Sequence, residues 1–197
     1  GGGGTLASDR KAVVYGLQTS EKTYASFDIS VSNPGGHSSR PRKDNAIYEL
    51  ADALRKLSAY EFPVQSTEQT RASFGFTGKQ LGGDLGKAML RFADNPDDQS
   101  AVSVIAADPE YVGTLRTTCV ATLLKGGHAD NALPQLASAT VNCRIFPGVS
   151  VESVRAKIAE VIDNPKATVK GIGTPYASDA SPMREDVMQA VRKAVDA

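Results

Sequence analysis

Hydrophobic positions alternate with polar ones along two ten-residue segments. In residues 23–32, Ala25, Phe27, Ile29 and Val31 fall on one face, and Tyr24, Ser26, Asp28 and Ser30 on the other. In residues 136–145, Ala137, Ala139, Val141, Cys143 and Ile145 share a face opposite Ser138, Thr140, Asn142 and Arg144. A period of two marks a half-buried strand. Residues 114–124 (TLRTTCVATLL) and 167–172 (ATVKGI) read as two further strands, and residues 12–19 as a short one.

Elsewhere the period is helical. Over residues 45–58, Ile47, Leu50, Ala51, Leu54 and Leu57 recur at helix spacing, and Asp44 or Asn45 can cap the first turn. Over 151–163 the stripe is Val154, Ile158 and Val161, behind a Ser150 cap, and Asn164-Pro165 ends it. Residues 183–196 read as a last helix after a loop at 173–182. Asn33-Pro34-Gly35-Gly36, Gly126-Gly127 and Pro147-Gly148 are breakers, and Gly1–Gly4 reads as a flexible opening. Residues 61–111 are richer in Gly, Gln and Asp, with helical stretches near 67–73, 84–93 and 98–106. They read as an insertion rather than a second domain. The order strand, helix, insertion, strand, strand, helix, strand predicts an α+β fold. Its form is a ferredoxin-like two-layer sandwich: a four-stranded antiparallel sheet, two helices on one face, and a helical insertion.

Composition narrows the partners. Of 197 residues, 41% are hydrophobic and 22% charged, as in ordinary globular domains. Twenty-two basic residues balance twenty-two acidic ones, so no electrostatic footprint for nucleic acid or an anionic membrane is expected. No apolar run approaches a membrane span. No targeting segment is visible, but the abrupt start leaves the compartment open, bacterial cytoplasm and periplasm alike. Cys119 and Cys143 occupy alternating apolar positions and are expected as buried free thiols in preference to a disulfide. His37 and His128 are the only histidines, each alone in its segment. Two separated histidines cannot close a zinc site without carboxylate help, which argues against a complete metal centre in this chain.

Three polar side chains could carry chemistry. His37 follows two glycines that let the backbone turn tightly, so its imidazole could donate to a developing oxyanion. Asn131 could bind a polar substrate group or make an Asx-turn. Arg144 ends a polar strand face, where its planar fork suits a carboxylate or a cross-strand ion pair. On local sequence alone, the loop, turn and ion-pair roles are favoured.

Together the segments change that balance. Gly35-Gly36-His37-Ser38-Ser39, with Pro41 and Asn45-Ala46-Ile47, resembles the start of the lid, or dimerisation, domain of M20 zinc peptidases. Gly126-Gly127 through Asn131-Ala132-Leu133-Pro134, then Asn142-Cys143-Arg144, Pro147-Gly148 and Ser150-Val151-Glu152, is similar to its second half. The long insertion is similar to the carboxypeptidase-S-like branch. The resemblance covers about residues 1–172 and implies a division of the chain. Residues 1–22 would lead in from a catalytic domain, 23–172 would be the lid with insertion 61–111, and 173–197 would return toward the catalytic domain.

The resemblance also implies roles. The lid would close over two zinc ions held by its own catalytic domain, with no metal in this chain. His37 would stabilise the oxyanion, often from a partner subunit. Asn131 and Arg144 would bind the substrate, Arg144 through its carboxylate. The partners implied are a peptide or N-acyl amino acid substrate and a homodimer formed through the lid. The isolated chain is expected to be inactive. The alternative is a free-standing ferredoxin-like module for oligomerisation or ligand binding, since the fold hosts many functions.

Overall fold

A computed structural model describes residues 2–6, 13–177 and 179–195. The elements run β1 Gly2–Leu6, β2 Val13–Leu17, β3 Thr23–Ser32, β4 Gly36–His37 and α1 Ala46–Ala59. Then come α2 Glu68–Leu81, α3 Gly83–Asp94, α4 Gln99–Ala106, α5 Val112–Leu115, β5 Thr118–Gly126 and β6 Ala132–Leu133. The chain finishes with β7 Leu136–Ile145, α6 Val151–Ile162, β8 Ala167–Ile172 and α7 Glu185–Val195. Parts of the sequence-based elements, at residues 1, 12, 178 and 196, lie outside the described residues.

One compact unit comprises Lys22–Pro63 and Arg116–Ala177. Its sheet has the order β5-β7-β3-β8, with each neighbouring pair antiparallel. The inward faces of β3 and β7 meet α1 and α6 in a single core. Phe27, Ile29, Leu50, Ile145, Ile158 and Ile162 are its largest fully buried side chains. Asn45 Oδ1 accepts from Ile47 N at 2.9 Å to start α1, and Ser150 Oγ accepts from Ser153 N at 3.1 Å to start α6. Lys56 Nζ donates to Ile162 O at 2.6 Å, tying the end of α1 to the end of α6.

The helix stripes are rotated relative to the sequence pattern. On α1 the buried positions are Ala46, Leu50, Ala53 and Leu57, while Ile47 stays exposed. On α6, Ile162 rather than Val161 completes the stripe, four residues after Ile158. Small alanines can face a sheet at close approach, and a hydropathy pattern underrates them.

The second unit comprises Gly1–Glu21, Val64–Leu115 and Ser178–Ala197. Gly2–Gly4 of the expected flexible opening are strand here: Gly2 pairs with Leu17 and Gly4 with Tyr15 in an antiparallel β1–β2 ladder. Phe74, Ala88, Met89, Phe92, Val102, Ile105 and Leu115 form its core, with the Phe74 and Phe92 rings edge-on at 5.2 Å. α2 runs eight residues past the stretch read from sequence. Gly78 does not break it, because a Cβ there would sit 2.6 Å from Gly86 O, so the glycine serves close packing of α2 on α3. The strand expected from residue 114 begins at Thr118, because Val112–Leu115 is a helical turn whose Leu115 is buried in this second core.

The cysteine expectation is corrected. Cys119 stands directly opposite Cys143 in the β5–β7 ladder, and the two form a disulfide across a Cα separation of 4.1 Å. Alternation placed both thiols inward but carried no register. Among the described residues, no helix is long and apolar enough to cross a membrane.

Phe27 lies at the centre of the β3 face. Phe27→Ala is expected to destabilise the protein by about 3–5 kcal/mol. Urea unfolding should show a lower midpoint with an unchanged slope.

Candidate functional site

The loop that carries His37 is built on a buried amide. Asn33 Nδ2 donates to Asp44 O at 3.1 Å and to Asp44 Oδ2 at 3.2 Å, while Gly35 N donates to Asn33 Oδ1 at 3.0 Å. Asn33 N also donates to Gln135 O at 2.8 Å, joining the loop to the start of β7. Gly35 has φ 76°, and a Cβ there would lie 2.7 Å from Gln135 Cγ, so only glycine fits the turn. Arg42 grips Asp44 through two bonds of 2.9 and 2.8 Å, which holds the Asp44 carboxyl down at about 2.

Asn131 meets His37 at this end of the sheet. His37 pairs with Ala132 in the β4–β6 ladder, and Ser38 N donates to Asn131 O at 2.9 Å. Both side chains are exposed. The Asn131 amide makes no hydrogen bond among the described residues. It is therefore not used in an Asx-turn. His37 Nδ1 is engaged by Ser39, whose N–H donates at 3.2 Å and whose Oγ lies at 2.9 Å. An outward ring nitrogen and an unengaged amide can jointly offer donors to a substrate oxygen.

Arg144 stands at the other end of the same strands. It pairs with Tyr24 on one side and Thr118 on the other, and its guanidinium lies 4.8 Å from the Tyr24 ring centroid. Lys22 Nζ donates to Arg116 O at 2.7 Å. Burial, and then the Arg144 charge, bring the Lys22 ammonium down to about 8. Arg116 is buried and forms an ion pair with exposed Glu61, while its Nε has no hydrogen-bond partner. Three cations thus gather at one corner, a surrounding that favours a bound carboxylate.

Within one chain the three expected site residues do not share a mouth. β3 and β7 pair along their whole length, Tyr24 with Arg144 and Ser32 with Leu136. The eight-residue span from Leu136 to Arg144 separates the ends by about 27 Å. The structure joins His37 with Asn131 and sets Arg144 apart, because sequence motifs carry no information on which strand end they occupy. Lys22, Tyr24, Asn33 and Ser39 were missed. Only Tyr24 and Lys22 had a signal: they share Arg144's polar face by parity. Among the described residues, no group of three His, Cys, Asp or Glu side chains is placed to hold a metal ion. Both histidines are exposed and both cysteines are bonded to each other, so this donor set does not fit zinc.

Comparison with known proteins covers most of the chain. Residues 19–170 match the family model of the M20 peptidase dimerisation domain. The probable carboxypeptidase S-like 2 of Dictyostelium discoideum is 31% identical over 77% of this chain and 29% of its own length. An N-fatty-acyl-amino acid synthase/hydrolase of Danio rerio is 29% identical over 79% of this chain and 30% of its own length. The chain therefore spans under a third of these relatives. The crystal structure of aminopeptidase PepT from Bacillus cereus superposes with a TM-score of 0.50 at 12% identity, covering 91% of this chain and 39% of that one, a likeness of fold.

Lys22 is expected to titrate near the 8 given above. Arg144→Gln should raise that value, yet leave it short of the ordinary lysine range, because burial is the larger cause. The unfolded chain binds the Lys22 proton more tightly than the folded one, so this group's contribution to stability rises with pH between the two values. Carbon NMR of labelled lysine Cε atoms reads both points.

Proposed function

Because the chain belongs to the M20 peptidase family as its dimerisation domain, in the carboxypeptidase-S-like branch, we propose that it is a lid that closes over a zinc site held in another domain and works as half of a two-chain site. The strand order and the placement of α1 and α6 support reading its sheet unit as ferredoxin-like.

The separation of the two strand ends carries the proposal. The segments read as leading from and returning to the catalytic domain, 1–22 and 173–197, join the sheet unit at the start of β3 and the end of β8, and register sets Tyr24 and Ile172 toward the Arg144 end. Arg144 therefore serves its own chain's catalytic domain. His37 and Asn131 project from the opposite end and need another active site to act on.

The outer strand β5 supplies a route. It is an edge of the sheet, and Val120, Leu123 and Leu124 are about 60–70% exposed on it. Two copies of one edge strand related by a two-fold axis perpendicular to the strand run antiparallel. The Gly126 end of one copy then faces the Thr118 end of the other. His37 and Asn131 of one chain are carried to the Arg144 end of its partner, so the groups that part company in one chain meet across two.

The substrate class follows the same logic. Carboxypeptidase and N-acyl-amino acid hydrolase both act at an amide beside an amino acid with a free carboxylate, and we assign this chain such a substrate. Arg144 holds the carboxylate through its planar fork and fixes the amide in place. The Asn131 amide binds a substrate polar group. His37 donates to the oxygen on which charge develops. The zinc ions supply the activated water when present, and lie outside this chain.

In the full-length zinc enzyme, His37→Ala is expected to lower kcat about a hundredfold or more, and Arg144→Ala to lower kcat/KM only for substrates with a free carboxylate. Mixing and re-associating the two inactive variants should restore roughly a quarter of wild-type activity, since one of the two sites in each mixed dimer is intact. A mixture no more active than its parents would remove the two-chain site.

A further inference from the structure

The His37 ring is held by one residue through two different groups. The Ser39 backbone N–H reaches Nδ1 at 3.2 Å, and the Ser39 hydroxyl lies 2.9 Å from the same atom. A backbone N–H can only donate, so Nδ1 must present its lone pair. In the neutral ring the proton is then on Nε2. The hydroxyl, which can donate or accept, adds a second donor to the same lone pair.

The backbone carrying that N–H is itself clamped. Ser38 N donates to Asn131 O at 2.9 Å, and Arg40 N donates to His37 O at 2.9 Å. These bonds fix the turn on either side of Ser39. His128 offers a contrast within the same chain: it is exposed and makes no hydrogen bond among the described residues.

We propose that Ser39 is a positioning residue that sets the His37 tautomer, keeping Nδ1 as acceptor and Nε2–H as the outward donor. The tautomer decides the sign of the interaction with an oxyanion. Nε2–H stabilises developing negative charge, whereas an Nε2 lone pair repels it. The proposal rests on the role given to His37 above, and its test separates the two. Both polar groups of Ser39 are committed to the ring.

Long-range nitrogen–proton NMR on the 15N-labelled 197-residue chain reads the tautomer directly, and there are only two histidines to assign. With both rings neutral, His37 is expected to show an unprotonated Nδ1 and a protonated Nε2, while His128 shows averaged values for its two ring nitrogens. Ser39→Ala keeps the backbone donor but loses the hydroxyl, so the His37 signals should move toward those of His128, and Ser39→Thr should restore them. Averaged signals in the wild type, a proton on Nδ1, or no response to Ser39→Ala would each overturn the proposal.

In the full-length enzyme, Ser39→Ala should lower kcat about fivefold with KM unchanged, the scale of one neutral hydrogen bond. The same change should have no further effect in a His37→Ala background. A fixed tautomer in an enzyme indifferent to His37→Ala would sink the oxyanion role while leaving the Ser39 lock standing. A His37-dependent enzyme with an averaged ring would do the reverse.

Discussion

The full-length antiparallel pairing of β3 with β7 is the constraint on which the rest depends. Ten residues of one strand lie against ten of the other without a break. Every inward hydrophobic side chain of this pair enters the core shared with α1 and α6, so a one-residue slip would turn that whole set to the open face. The same register decides where chemistry can occur. It sets Tyr24 beside Arg144 at one end and joins the His37 loop to Gln135 at the other. A rigid ladder of this length cannot fold its ends together, and the functional groups inherit its geometry.

The corner around Arg144 also explains how the sheet unit tolerates a long excursion of the chain. The chain leaves after Pro63 and comes back at Arg116. The Glu61–Arg116 ion pair bridges the two sides of that gap, and Lys22 reaches the Arg116 carbonyl. Thr117, the next residue, accepts from Phe146 N at 3.0 Å through its hydroxyl. The break in the chain is thus sewn shut by polar contacts next to the proposed carboxylate seat. Removing Glu61 would leave the buried Arg116 charge uncompensated there.

Much of the sheet unit was legible because its signals were local. Alternation found β3 and β7 with their inward faces, and side-chain caps found α1 and α6. What failed was long-range. The thiols of Cys119 and Cys143 meet because a hairpin register opposes them, and nothing within either segment records that. The helical stretch read near 67–73 continues to Leu81 through Gly78, whose absent side chain makes room for a neighbouring helix. His37 and Asn131 sit together because β4 pairs with β6, a contact of two residues too short to show a period. The distance from these groups to Arg144 is a property of strand direction, which residue motifs do not encode. The family resemblance named residues to inspect without saying how they are arranged in one chain.

The disulfide has a consequence for any association at the sheet edge. Cys119 lies one residue into β5, the strand that exposes Val120, Leu123 and Leu124, and its bond to Cys143 fastens that strand to β7. A strand fastened in this way cannot be peeled off and traded with a neighbouring molecule. Growth of the sheet is restricted to laying a new strand alongside, which excludes domain swapping through β5 and leaves each protomer's fold whole.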